Sequence, residues 1–112
     1  MIYFSELHRR KIYERGGAYF GTLEDLIFAA SPQAKISKIV AKNKDRQKII
    51  IPIAYFKSNS RLVLDPDYKA KKLDLNELYV YKNLVDKQII DLKGNKVVRV
   101  NDVAIQNDKN TW

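Results

Sequence analysis

Two stretches of the chain, offset by 77 positions, carry one pattern. Residues 83–105 read as two short strands joined by a tight turn at Lys93-Gly94-Asn95, and a similar unit opens the chain. Laying His8–Phe28 over Val85–Ile105 matches Ile12 with Ile89, Gly17 with Gly94 and Asp25 with Asp102. Three identities in 21 positions carry little by themselves. The shared order carries more: an apolar pair, an acid, a turn glycine, an alternating apolar strand, and an Asp near its end. Internal repetition constrains the architecture ahead of local propensity, because one repeat cannot bury its apolar face alone. The competing reading is that any two hairpins of one β protein look this alike. After Phe28 the first unit continues for about 50 residues, whereas only Gln106–Trp112 follow Ile105. The expectation is therefore a fragment of a longer protein, or a chain whose missing half comes from a second copy pairing across exposed strand edges.

Turn signals at spacings near ten residues predict a small all-β barrel or sandwich. Lys11–Glu14 and Tyr19–Ala29 are predicted strands, joined by Arg15-Gly16-Gly17-Ala18, where glycine accepts the positive φ of a tight hairpin. Within Tyr19–Ala29 the apolar phase changes near Glu24-Asp25, which predicts a β-bulge. A short helix fits Leu23, Leu26 and Ile27, but the aromatic residues and the matching Val97–Ile105 run favour strand. Lys35–Lys42, Gln47–Ile53, Arg61–Leu64 and Leu78–Tyr81 complete the predicted strands; Ile49-Ile50-Ile51 gives the second of these the strongest β character. Ala54–Lys57 and Leu84–Lys87 are expected to make single helical turns, Met1–Leu7 a helical turn or edge segment, and Tyr68–Leu75 a solvated basic connection. The implied division is a barrel-like domain over residues 1–82, the start of an incomplete second repeat over 83–106, and a polar tail over 107–112.

Composition narrows the function classes. There is no cysteine, which excludes disulfides and thiolate metal sites. No apolar run approaches membrane-spanning length, and Met1–Glu6 lacks the pattern of a signal peptide, so a cytoplasmic location is expected. Lys and Arg number 21 against 13 Asp and Glu, a net charge of +8 that favours anionic partners.

Lys11-Ile12-Tyr13-Glu14, Gly17 and Phe20–Phe28 resemble the opening of the PRC-barrel family, named for a domain of the photosynthetic reaction centre H subunit. Ile49–Phe56 looks like that family's strand ending in a "VPW"-type corner. Leu84–Val103 is similar to a segment of bacterial proteins in which PRC-like repeats precede an MgtE-type intracellular domain and CBS domains. The resemblance implies a small, strongly bent β-barrel serving as a regulatory or assembly module. It brings no catalytic residue, and neither magnesium binding nor magnesium transport carries over.

The residues themselves offer little catalytic chemistry. His8 is the single histidine, short of a metal site or a general base with an orienting partner. Gly16-Gly17 lacks phosphate-loop spacing, and Asp65-Pro66-Asp67 reads as a turn instead of a calcium loop. Asp86, Asp91 and Asp102 could gather around a cation, but turn capping is the simpler role. No catalytic residue, cofactor or metal is expected. What remains is a basic hairpin surface of Lys35, Lys38, Lys42, Lys44, Arg46 and Lys48, with Tyr13, Tyr55 and Phe56 as stacking faces. Two readings follow. One is a non-enzymatic assembly module that associates with itself or with downstream domains. The other is an RNA- or ribosome-binding module using the basic hairpin, a reading to which PRC-like domains in ribosome-maturation proteins lend weight.

Overall fold

The computed structural model describes residues 2–30, 32–58, 60–85, 88–90, 97–99 and 102–106. The fold is all-β and barrel-like. The strands are β1 (Ile2–Tyr3), β2 (Lys11–Glu14), β3 (Tyr19–Ala29), β4 (Lys35–Asn43), β5 (Lys48–Pro52), β6 (Phe56–Ser58), β7 (Leu62–Leu64), β8 (Glu77–Tyr79), β9 (Gln88–Ile90), β10 (Val97–Arg99) and β11 (Ala104–Ile105). Two one-turn helices, α1 (Phe4–Leu7) and α2 (Val80–Asn83), and a 3₁₀ turn at Ile53–Tyr55 complete the described elements.

A curled seven-stranded sheet runs in the order β5-β4-β3-β2-β7-β6, with β8 extending the β2 edge of β3. The long strand β3 organises it: β4 lines one edge throughout, while β2 pairs with its first half and β8 with its second. The predicted bulge is present, since Leu23 and Asp25 face the consecutive residues Ala41 and Val40 and leave Glu24 extra. The bulge shifts the alternation so that Leu23 and Leu26 are both fully buried on one face. They join Leu7, Ile12, Ile39, Ile51, Leu62 and Leu64 in one apolar core.

The short elements differ from expectation for identifiable reasons. The strand predicted over Leu78–Tyr81 stops at Tyr79, because Asp25 accepts the N–H groups of Tyr81 and Lys82 and the chain coils into α2 there. The helical turn expected after Leu84 thus forms four residues earlier. The turn expected over Ala54–Lys57 is the 3₁₀ turn at Ile53–Tyr55, since Phe56 already pairs with Leu64. Asp65-Pro66-Asp67 is a turn in which Asp65 Oδ1 accepts the Asp67 N–H at 2.9 Å. The connection that follows forms no regular element over residues 68–76 and is mostly exposed, though Lys71 N–H bonds to Ile50 O on the outer edge of β5. Among the described residues no helix is long and apolar enough to cross a membrane.

The two hairpins share their register. In the first, Lys11 pairs with Thr22 and Ile12 with Gly21; in the second, Gln88 pairs with Arg99 and Ile89 with Val98, each position shifted by 77. They part at the next pair, where a bulge at Phe20 sets Tyr13 against Tyr19 while Ile90 meets Val97. The turn at Lys93-Gly94-Asn95 lies outside the described residues. The lead segments also correspond: Leu78 and Tyr79 pair with Phe28 and Ile27, as Ile2 and Tyr3 pair with Ile105 and Ala104. Each lead segment therefore pairs with a strand of the other unit, β1 with β11 and β8 with β3. β1 and α1 precede the first hairpin but dock on β11, and β8 and α2 precede the second hairpin but dock on β3.

Candidate functional site

The polar surface with most chemical content lies where this exchange brings four segments together. These are the end of α1, the Glu24 bulge, the start of β5, and α2. Between them opens a cleft of about 650 Å³. His8, Arg9, Tyr79, Tyr81, Lys82 and Val85 line it, and Val40 and Ile50 add apolar surface beside Lys48. Glu24 and Asp25 complete the lining.

Aromatic packing fixes part of this lining. The His8 ring stacks on Tyr81 with centroids 4.8 Å apart and 28° between planes. Phe4, buried beneath, touches both rings at 5.1 and 5.8 Å. Such a cluster joins α1 to α2 through apolar contact while leaving ring surface open, and Tyr81 is 45% exposed. Arg9 adopts the left-handed conformation with φ of 66°. Its N–H bonds to Leu23 O at 2.7 Å, so the turn leaving α1 is pinned to the bulged strand.

The carboxylates of the cleft are engaged. Asp25 is buried, with Oδ1 accepting the N–H groups of Leu26 and Tyr81 at 2.7 and 2.8 Å and Oδ2 that of Lys82 at 3.2 Å. Burial pushes its pKa above the usual carboxylate range, against the lowering effect of these three donors. Glu24 lies 3.2 Å from Lys42 Nζ and 3.9 Å from His8 Nε2. Arg9 and Lys48 are exposed residues of the lining, and Lys82 Nζ lies 5.3 Å from the Tyr79 ring centroid.

The basic hairpin divides. Lys35, Lys44, Arg46 and Lys48 are exposed, and Lys42 is half-buried on Glu24. Lys38 is only 7% exposed. Its ammonium reaches Glu77 at 2.5 Å, Lys72 O at 2.8 Å and Asp74 at 3.1 Å. Ser37 donates a short hydrogen bond to the same Glu77. Lys38 thus ties the 68–76 connection down. The expected stacking faces are also committed elsewhere: Phe56 is core, Tyr55 packs against the core, and Tyr13 lies between Tyr19 and Arg61.

Of the aspartates considered for a cation, Asp86 and Asp91 lie outside the described residues. Asp102 accepts from Ser5 N–H at 3.1 Å, Ser5 Oγ at 2.5 Å and Val103 N–H at 2.9 Å. Among the described residues no three His, Asp or Glu side chains converge as a metal site. Lys48 alone of the predicted surface residues lines the cleft; Arg9, Tyr79, Tyr81 and Lys82 were not singled out by sequence reasoning. No local signal marks them, because the lining comes from residues 8–9, 24–25, 40, 48–50 and 79–85. No protein-family model and no curated protein matches the chain.

Proposed function

We propose that the chain is a non-enzymatic regulatory or assembly module of PRC-barrel type. It works on the cytoplasmic side as part of a larger MgtE-like or CBS-containing protein and associates with itself. The observation that carries the reading is the reciprocal pairing, in which the lead segment of each unit pairs with a strand of the other. A segment that pairs with a neighbouring unit within one chain fits the same unit of a second copy with the same pairing, which is the economy of strand exchange. The polar groups also favour binding over catalysis. Asp25 is spent on α2 and Glu24 on Lys42.

Tyr3→Cys with Ala104→Cys tests the reading. The two positions are exposed register partners in a chain without other thiols. Mild oxidation followed by non-reducing electrophoresis, with light scattering of the unmodified chain, separates the outcomes. A disulfide-linked dimer, and a mass twice 13.0 kDa, support self-association through exchanged lead segments. A uniformly intrachain disulfide and a single-chain mass at every concentration remove it.

A further inference from the structure

We infer that the cleft between α1 and α2 binds a nucleoside phosphate, with an aromatic base on the Tyr81–His8 face and phosphate among Arg9, Lys48 and Lys82. The inference does not rest on the assembly reading. Three features meet in one place. The first is a stacked pair of rings with open surface, Tyr81 at 45% exposure and His8 behind it at 4.8 Å. Bases of any sequence stack on such rings, because every base presents a π face. The second is three cations, Arg9, Lys48 and Lys82, contributed by separate segments to one cleft lining. The third is size: about 650 Å³ falls within the range of small-ligand sites and accommodates one or two nucleotides.

Charge bookkeeping supports an anion. Glu24 is neutralised by Lys42, and Asp25 turns both oxygens toward backbone N–H groups. The uncommitted charge facing the opening is therefore positive. An acidic peptide would satisfy the cations but make no use of the ring face, so the aromatic platform favours a base-bearing ligand. The same chemistry arrives either as a free nucleotide or as a single-stranded RNA segment. For RNA, the interface expected on the β4–β5 hairpin is relocated to the cleft, with Lys48 the one residue in common.

The test uses the full chain, a fluorescein-labelled single-stranded oligoribonucleotide read by anisotropy, and AMP read by calorimetry. Oligonucleotide binding is expected to weaken with salt, with a log–log slope of about −2 for three cations on single-stranded nucleic acid. Tyr81→Ala is expected to weaken binding about tenfold or more, and Tyr81→Phe, which keeps the ring, to leave it intact. Lys48→Glu is expected to weaken it as well, whereas Lys35→Glu and Lys57→Glu, equal charge changes on exposed strand positions away from the cleft, are expected to have little effect. Circular dichroism melts verify that each variant is folded. Saturable AMP binding that displaces the oligonucleotide identifies a free nucleotide; oligonucleotide binding without AMP binding identifies a strand. The inference is overturned by three results: no binding of either probe at low salt, equal losses from control and cleft charge reversals, or competition by poly-glutamate as effective as that by RNA.

Discussion

Asp25 and Asp102, 77 positions apart, hold the helices α2 and α1 in the same way. Asp25 accepts the N–H groups of Tyr81 and Lys82 in the first turn of α2, and Asp102 accepts the Ser5 N–H in the first turn of α1. Each also accepts the N–H of the residue that follows it, Leu26 or Val103. A carboxylate at a helix N-terminus satisfies donors that the helix cannot pair internally. Here that carboxylate comes from the partner repeat, so the exchange of lead segments is fastened by the same side chain in both places. Asp25→Ala strands three N–H donors in a buried setting and is expected to cost about 2–4 kcal/mol. Asp102→Ala, in a half-exposed setting, is expected to cost about 1 kcal/mol. Urea unfolding of the two variants checks the order.

The two aspartates respond to pH in opposite senses. Asp102 is held below the usual carboxylate range, chiefly by the Ser5 hydroxyl, with the Val103 and Ser5 N–H groups assisting. Its folded-state pKa is depressed, so its contribution is present above the unfolded value and is lost as pH falls through the folded one. Asp25 is raised by burial, so the folded state holds its proton more tightly than the unfolded chain. Its contribution is therefore greatest at low pH and declines as pH rises from the ordinary carboxylate value to the folded one. The expected result is that Asp25→Asn makes stability less dependent on pH just above the ordinary carboxylate range, while Asp102→Asn flattens the profile below it. Melting temperatures measured across that range for both variants decide it.

The hairpins, the bulge at Glu24 and the turn at Asp65 were legible in the sequence because each is local: period-two alternation, a phase slip, and an Asx turn. The likeness of the two hairpins was legible as pattern, and the matched registers of Lys11–Ile12 and Gln88–Ile89 give that likeness a geometry. The partner of each lead segment was not legible. Nothing in Ile2–Leu7 distinguishes docking on β11 from docking on its own hairpin, since both offer the same edge chemistry. Lys38 shows the same limit. It was grouped with the exposed lysines of the basic hairpin, yet it shares the period-two phase of Ile36 and Val40, and it is buried against Glu77, 39 positions away. The cleft was hidden for the same reason, as its cations come from three distant segments.

The Lys38–Glu77 pair fixes the connection between β7 and β8, and its removal has a predictable asymmetry. Burial opposes the charge on both groups. The hydrogen bonds of Lys38 to Glu77 and Asp74 outweigh it and raise the ammonium, while those of Lys38, Ser37 and the Asp74 N–H lower Glu77. The clasp therefore holds between the two ordinary values, lost in acid as Glu77 protonates below its usual range and in base as Lys38 deprotonates above its own. Lys38→Met leaves a buried carboxylate without its cation and is expected to cost about 3–5 kcal/mol. Lys38→Met combined with Glu77→Gln is expected to recover part of that loss, because no buried charge is left unpaired. Limited proteolysis within residues 68–76, faster in the single variant than in the double, provides the second readout.

Gly21 tests how closely β3 and β4 approach. It pairs with Ile12 on one side and Asn43 on the other. A Cβ built there would lie 1.9 Å from the Lys42 carbonyl oxygen and 2.9 Å from the Asn43 Cα, so the obstacle is backbone on the neighbouring strand. A side chain cannot be absorbed by rotation of a flexible neighbour; the strands must separate, and with them the β4–β5 hairpin that carries Lys48 to the cleft. Gly21→Ala is expected to destabilise by at least about 3 kcal/mol, the range of severe overpacking. Gly16, in the β2–β3 turn, has open space around its added Cβ and an ordinary φ. Gly16→Ala is expected to change stability by no more than about 0.5 kcal/mol. Denaturant midpoints for the pair separate the two, and equal effects would mean that the close approach of β3 and β4 at Gly21 does not constrain the fold.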